Sequence, residues 1–200
     1  MKPFDTTPLA PAQRELKAAE RCLAHMRAAR SFRDYESYWK SLLSALEKSW
    51  QKMRAAEPQM NSRFAPWLGK QERFRKSDPL LQYLNQARDA DHHGLDPILR
   101  RAPSRRDHRS SWAYDIALKD LVANRRKVAF GREEAIEDLF TPKRVELLPV
   151  RNRGRTYPIP GQHNGRGIKK ADPVGLGALG IEFYSAVLAE AMDRFQPLGS

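Results

Sequence analysis

Cysteine is almost absent from this sequence, which contains Cys22 alone among 200 residues. A single thiol cannot form an intramolecular disulfide, and it cannot supply the several thiolates of a cysteine-rich zinc site. The shortage fits a reducing cytoplasm better than an oxidising compartment. Because Cys22 falls within a helical pattern of apolar residues, we expect its side chain to be buried.

Long apolar runs are also missing. The first eight residues, Met1 to Pro8, lack the apolar stretch of a signal peptide, and no apolar segment of 18 residues is evident in the chain. We therefore expect a soluble cytoplasmic protein with no membrane partner.

Acidic residues are the third shortage. The chain has 24 aspartates and glutamates but 36 lysines and arginines, which gives a formal charge of +12 and a pI near 10.1. A field of this sign attracts polyanions, so the expected partners are RNA, DNA or ribosomes. The surplus is concentrated in basic runs, which form either solvated loop surface or a nucleic-acid-binding face. The candidate nucleic-acid-binding residues are Arg100, Arg101, Arg105, Arg106, Arg109, Arg151, Arg153, Arg155, Arg166, Lys169 and Lys170.

What is present predicts one mainly α domain over residues 1–200. A chain of this length with 40% apolar composition can bury one well-packed core. Apolar residues recur at spacings of three and four in four stretches, and each stretch predicts a helix that buries one face. The predicted helices are residues 12–30, residues 31–57 with Ser31 as N-cap, Pro79 to His93, and a last helix opened by Asp172 and Pro173.

These helices are expected to form a bundle from residues 12–94 and 172–196. Between the two parts, at 95–171, we predict a basic loop and a small β elaboration. Its clearest element is a hairpin over 145–159, with a glycine-containing turn at 151–154.

Other connecting segments carry weaker signals. The stretch 64–69 is interpreted as a packed connection, and 70–76 as an extension of the helix that follows it. Residues 95–109 are basic and broken by proline, which favours a loop. From 110 to 130 the pattern fits a strand and a helix equally well, so neither is predicted.

Groups suited to acid–base chemistry on a phosphate gather in the run 83–94, at the predicted end of a helix. They are Arg88, Asp89, Asp91, His92 and His93. Histidine exchanges a proton near neutral pH, and arginine holds a phosphate with a fixed fork of donors. Together they can cleave RNA without a metal ion. The structural alternative is a solvated cap at the end of the helix.

The same run carries a resemblance to a known family. Arg88, the polar Asp89 and then His93, at the end of an amphipathic helix, resemble the motif of the HEPN superfamily (higher eukaryote and prokaryote nucleotide-binding). The tail from Val150 to Gly165, followed by a closing helix, is similar to a segment of bacterial proteins of this type. The resemblance covers the second, third and fourth predicted helices.

The resemblance implies a HEPN-like helical bundle acting as a metal-independent endoribonuclease, often a toxin or a defence effector. Such proteins work as homodimers with both motifs facing a shared cleft, and a toxin has an antitoxin or regulatory partner. His93 would be the general acid or base, and Arg88 would stabilise the scissile phosphate. Asp89 would orient the pair. The products would carry 2′,3′-cyclic phosphate and 5′-hydroxyl ends.

Alternatives remain open at this site. Residues five apart on a helix differ by about 140° around its axis, so His92, which is four residues from Arg88, is the local rival of His93. Asp89 and Asp91 could neutralise Arg88, which would leave an inactive regulatory subunit. A non-catalytic basic module that binds nucleic acid is a second possibility. A structural or regulatory subunit that binds a protein partner or a nucleotide is a third.

No cofactor and no metal site are predicted. Adjacent side chains point in different directions, so Asp91, His92 and His93 do not make a preformed ligand set. His163 lies in a glycine-rich stretch that could bind phosphate, but the stretch lacks the lysine-serine ending of a P-loop. A structured surface turn is the favoured interpretation there.

Overall fold

The structure, a computed structural model, describes residues 7–93, 97–102 and 140–195, with the backbone alone for 91–93. Within these ranges the chain is mainly helical, with five α-helices and three short antiparallel strand pairs. The predicted mainly α class is confirmed, although the bundle has one helix more than the sequence pattern indicated.

The first two helices, α1 (Ala10–Ala28) and α2 (Phe32–Ala55), form a helical hairpin. Ser31 caps α2 as predicted, because its Oγ accepts a hydrogen bond from the Asp34 amide at 3.0 Å. A buried bond crosses the pair, in which Ser49 Oγ donates to the carbonyl of Ala12 at 3.0 Å. Cys22 is partly buried and packs against the core, so its expected burial is met only in part.

An additional helix, α3 (Phe64–Ser77), precedes α4 (Pro79–His93). It corrects two predictions: residues 64–69 begin a helix instead of forming a connection, and 70–76 belong to α3 and not to α4. The physical reason is that Phe64, Trp67 and Leu68, at helical spacing, all enter the core. The predicted bounds of α4 are confirmed.

A single residue, Asp78, separates α3 from α4. Its backbone is extended, with φ −73° and ψ 127°, because the residue before a proline is disfavoured in the helical region. Its Oδ1 accepts a hydrogen bond from the Leu81 amide at 3.1 Å, so Asp78 caps α4. Unusually for a cap, Asp78 is 5% exposed.

The closing helix, α5 (Pro173–Arg194), is capped by Asp172, whose Oδ1 accepts from the Gly175 amide at 2.6 Å. It packs against α1, α2 and α4. Length and composition would let α5 cross a membrane, which corrects the expectation that no such segment exists. However, α5 also packs against the other helices, and a core helix of a bundle has the same length and apolar composition. These two properties are therefore weak evidence for a membrane span.

Four of the five described helices meet at a polar cluster inside the bundle. Arg75 of α3 donates to the Tyr184 hydroxyl at 2.7 Å, to Asn85 Oδ1 at 3.0 Å and to the carboxylate of Glu47. Its guanidinium also lies 5.2 Å from the centre of the Trp50 ring. Burial opposes the charge of Arg75, but Tyr184 and Glu47 beside it raise its pKa above the ordinary value.

The described part of the β elaboration, residues 97–102 and 140–172, contains three antiparallel strand pairs. These pairs are β1 (Leu99–Arg101) with β2 (Val145–Leu147), β3 (Val150–Asn152) with β4 (Arg155–Tyr157), and β5 (Gln162–His163) with β6 (Arg166–Gly167). A β elaboration before the closing helix is thus confirmed.

The strand pairing differs from the single predicted hairpin. Residues 145–147 pair with 99–101 across a ladder that spans more than forty residues of sequence, with Leu147 opposite Leu99 and Val145 opposite Arg101. This pairing buries Leu99, Val145 and Leu147 in the core. The strand at 99–101 also corrects the predicted loop at 95–109 in its middle part. The turn of the β3–β4 hairpin is the pair Arg153 and Gly154, both with positive φ. Residues 103–109 and the ambiguous stretch 110–130 lie outside the described residues.

Candidate functional site

Helix α4 carries the predicted catalytic motif on its last turns. Arg88 Nη1 donates to Asp89 Oδ1 at 2.9 Å, with the side chains 31% and 28% exposed. This ion pair uses one of the five guanidinium donors. Arg88 Nε is buried and has no hydrogen-bond partner among the described residues, so donors remain for another acceptor. Asp89 is therefore paired with Arg88, but this ion pair leaves other guanidinium donors of Arg88 without a partner among the described residues.

The two histidines of the motif close α4. The backbone is helical through His93, so the helix does not loosen between Arg88 and its end. Position 92 is then about 40° around the axis from position 88, and position 93 about 140°. Position 92 therefore lies on the same face of α4 as position 88, whereas position 93 does not. The side chains of both histidines lie outside the described residues.

Three hydrogen-bonded levels join the β elaboration to α4. At the start of the helix, Asp78 Oδ2 accepts from the Asn164 amide at 2.8 Å. Farther along, the Tyr83 hydroxyl donates to the Leu148 carbonyl at 2.7 Å, and burial raises the pKa of Tyr83. Near the end, Asn152 Nδ2 donates to Gln86 Oε1 at 2.8 Å.

These levels give the direction of the β3–β4 hairpin. From Leu148 to Asn152 the chain meets successively later positions of α4, first Tyr83 and then Gln86. The turn that follows therefore points towards the end of α4, where Arg88 and Asp89 lie. We call this unit, with Arg151, Arg153 and Arg155, the arginine hairpin.

The three cations of the arginine hairpin are all exposed. In the strand register Asn152 pairs with Arg155, and cross-strand partners share one face of an antiparallel ladder. Arg155 is therefore on the face that contacts α4, whereas Arg151, paired with Thr156, is on the opposite face. The turn residue Arg153 adopts a φ of 48°.

The other predicted nucleic-acid-binding residues are divided among separate places. Arg100 is paired with Glu146 at 2.8 Å across β1 and β2, and Arg101 is exposed beside it. A second group follows β5, at Arg166, Lys169 and Lys170, all exposed, with Lys170 Nζ 2.6 Å from Asp172 Oδ2. The remaining three, Arg105, Arg106 and Arg109, lie outside the described residues.

The net charge of the elaboration is strongly positive. Residues 97–102 and 140–172 carry ten lysines and arginines and two carboxylates, which are Glu146 and Asp172. Both carboxylates form ion pairs with cations of the elaboration. Eight positive charges are therefore left without a compensating carboxylate inside this layer.

A site that the sequence did not indicate joins Asp78 and His163. The Nδ1 atom of His163 lies 2.9 Å from Asp78 Oδ1, and the Asp78 side chain is 2% exposed. Asp78 also accepts from the amides of Leu81 and Asn164, so an ionised Asp78 makes His163 Nδ1 the donor. That bond leaves His163 Nε2 as the ring nitrogen available to a ligand.

The favoured interpretation of the 160–167 stretch was a structured turn, and the structure confirms it. Asn164 and Gly165 form the two-residue connection of the β5–β6 hairpin, with φ of 49° and 70°. What the sequence could not reveal is the partner of His163, because Asp78 is 85 residues away. The nearest available signal was the cap pattern Ser77-Asp78-Pro79, which predicts a helix start and no second role for the carboxylate.

No protein-family model, curated protein or solved structure matches this chain. The residues of the chain itself must therefore carry any assignment of function. Across the described ranges, no group of three histidine, cysteine, aspartate or glutamate side chains is arranged to hold a metal ion.

Proposed function

We propose that this protein binds RNA through the arginine hairpin, with a HEPN-like helical bundle as its rigid support. The observation that carries the proposal is the basic β elaboration, with ten cations against two carboxylates, held on α4 by hydrogen bonds at three levels. Cations neutralise phosphates and release counterions, which gives affinity without sequence specificity. A support that is already folded reduces the ordering cost of binding.

The choice of RNA over DNA rests on the resemblance to the HEPN superfamily. Cytoplasmic localisation, a homodimer and an antitoxin or regulatory partner belong to the same proposal. Competition between single-stranded RNA and DNA of equal length and sequence tests the preference, and stronger displacement of bound RNA by DNA would contradict it.

Salt-dependent binding tests the arginine hairpin directly. The triple variant R151A/R153A/R155A is compared with R14A/K17A/R21A, which removes three exposed charges from α1. We expect the logarithmic slope of affinity against salt to fall by roughly 2 in the hairpin variant, because each single-strand phosphate contact contributes about 0.7. The α1 variant controls for the loss of overall charge. Equal slopes in the two variants, measured by fluorescence anisotropy, would disprove the assignment.

Metal-independent RNA cleavage at the end of α4 is the second candidate function. Two observations favour it: the arginine hairpin points towards that end, and Arg88 keeps guanidinium donors beyond its bond to Asp89. In this mechanism Arg88 stabilises the scissile phosphate, and Asp89 orients Arg88 and the histidine. A histidine transfers the proton between the 2′-hydroxyl and the leaving 5′-oxygen.

The histidine that transfers the proton is either His92, which shares the face of Arg88, or His93, which does not. Wild type, R88A, H92A and H93A are incubated with total RNA in EDTA, and the ends of any fragments are determined. We expect wild type to leave 2′,3′-cyclic phosphate and 5′-hydroxyl ends and R88A to leave the RNA intact. Loss of cutting in H93A alone would indicate a site shared by two subunits, and loss in H92A alone a site within one protomer.

Retention of cutting by R88A, or dependence on a divalent ion, would refute this mechanism. If wild type binds RNA and does not cut it, the protein is a non-catalytic basic module or an inactive HEPN-like regulatory subunit. RNA binding through the arginine hairpin would stand in that case.

A further inference from the structure

A cavity of about 500 Å³ lies between the β5–β6 hairpin and α5, and the chemistry of its lining is divided. Cations lie on one side, at Arg166, Lys169 and Lys170, and apolar side chains of α5 lie on the other, at Leu179 and Phe183. This volume is in the range of small-molecule sites. A ligand matching the lining would have a negatively charged end and a flat apolar end.

Two of the three cations are available for a ligand. Lys170 is paired with Asp172, but neither Arg166 nor Lys169 has an ion-pair partner within the described ranges. Arginine and lysine are the residues that bind phosphate oxygens, arginine as a fork and lysine as a point charge. Glu182 is the one carboxylate on the described lining, and it supplies an acceptor for hydroxyl groups.

His163 adds an imidazole, held in place by a buried carboxylate, to the cations that line this cavity. The imidazole lines the cavity, and the buried Asp78 fixes its Nδ1 as a donor. Its ring also packs edge-on against Phe183, with centroids 6.1 Å apart. Asp78 caps α4 by accepting a hydrogen bond from the Leu81 amide, and it holds the β5–β6 hairpin by accepting one from the Asn164 amide. Neither of these bonds involves the His163 side chain.

We propose that this cavity binds a phosphorylated nucleoside. Arg166 and Lys169 hold its phosphate, His163 Nε2 accepts a hydrogen bond from a ribose hydroxyl, and the apolar side of α5 receives the base. A free nucleoside monophosphate and the 5′-phosphorylated end of an RNA present the same chemistry to this site. The site is separate from the arginine hairpin and does not depend on RNA binding there.

Calorimetric titration with AMP and with adenosine is the first test. We expect AMP to bind wild type at least about 10-fold more tightly than adenosine, the scale of one hydrogen bond to a charged group. R166A/K169A should abolish that difference, while K143A, which removes an exposed cation outside the cavity, should keep it. Equal affinity of wild type for AMP and adenosine, or an undiminished difference in R166A/K169A, would overturn the proposal.

Short RNAs with 5′-phosphate or 5′-hydroxyl ends separate the two sources of the ligand. Competition with AMP by the phosphorylated RNA alone identifies an RNA end, and AMP binding without such competition identifies a free nucleotide. Both results support the site, whereas equal competition by the phosphorylated and the hydroxyl-ended RNA would show that the phosphate is not what the site recognises. R151A/R153A/R155A should retain AMP binding, so failure of the RNA proposal remains distinguishable.

The variant H163N separates ligand contact from structural support. Asparagine keeps a donor near the position of Nδ1, so the bond to Asp78 persists while Nε2 is lost. We expect a melting temperature close to that of wild type and AMP affinity lowered by about 10-fold. Unchanged AMP affinity would show that His163 supports the hairpin only.

Discussion

At the scale of single residues, the backbone conformation at Gly165 determines which residue types this position tolerates. Its φ is 70°, and a Cβ at this position would meet no atom within 4 Å. An L-residue in the left-handed region costs about 1–2 kcal/mol. We therefore expect G165A to lower the free energy of unfolding by about 1 kcal/mol through backbone strain alone. Urea denaturation measures this change.

Gly161 provides the matched control in the same segment. A Cβ there would also meet nothing within 4 Å, but its φ is outside the positive region. We expect G161A to be neutral or slightly stabilising, because alanine reduces the entropy of the unfolded chain. A loss in G161A as large as that in G165A would show that strain is not the cause.

At the scale of elements, the sequence predicted where helices start, because contacts between residues close in sequence determine these positions. Ser31, the pair Asp78-Pro79 and the pair Asp172-Pro173 marked three helix starts correctly, because a cap side chain and the backbone amide that donates to it lie three residues apart. Helix α3 was missed because Pro66 and Gly69 lie inside it and weaken the periodic signal. Early in a helix, however, a proline loses little, since the first amides lack intrahelical partners anyway.

Partners distant in sequence escaped prediction for a physical reason. The ladder between β1 and β2 joins residues 46 apart, from Arg100 to Glu146, and the contact of Asp78 with His163 joins residues 85 apart. Periodicity reports which face of an element is buried, and it does not report what covers that face. The sequence therefore indicated Arg88 and the basic runs as candidates, while the direction of the arginine hairpin and the cavity at His163 required the fold.

At the scale of the whole molecule, the cluster around Arg75 links α2, α3, α4 and α5 through charge in a largely apolar core. Its two charged side chains, Arg75 and Glu47, are 11% and 12% exposed. Removing one partner of such a pair leaves an uncompensated charge away from water, at a cost of about 3–5 kcal/mol, whereas replacing both with apolar groups can be nearly neutral.

We therefore expect R75M and E47L each to lower the free energy of unfolding by about 3 kcal/mol, while the double variant R75M/E47L recovers most of that loss. Denaturant unfolding followed by circular dichroism gives the four values of this double-mutant cycle. A coupling energy near zero would mean that the two side chains contribute independently. A strong coupling would show that the ion pair between Arg75 and Glu47 stabilises the packing of α3 against α2.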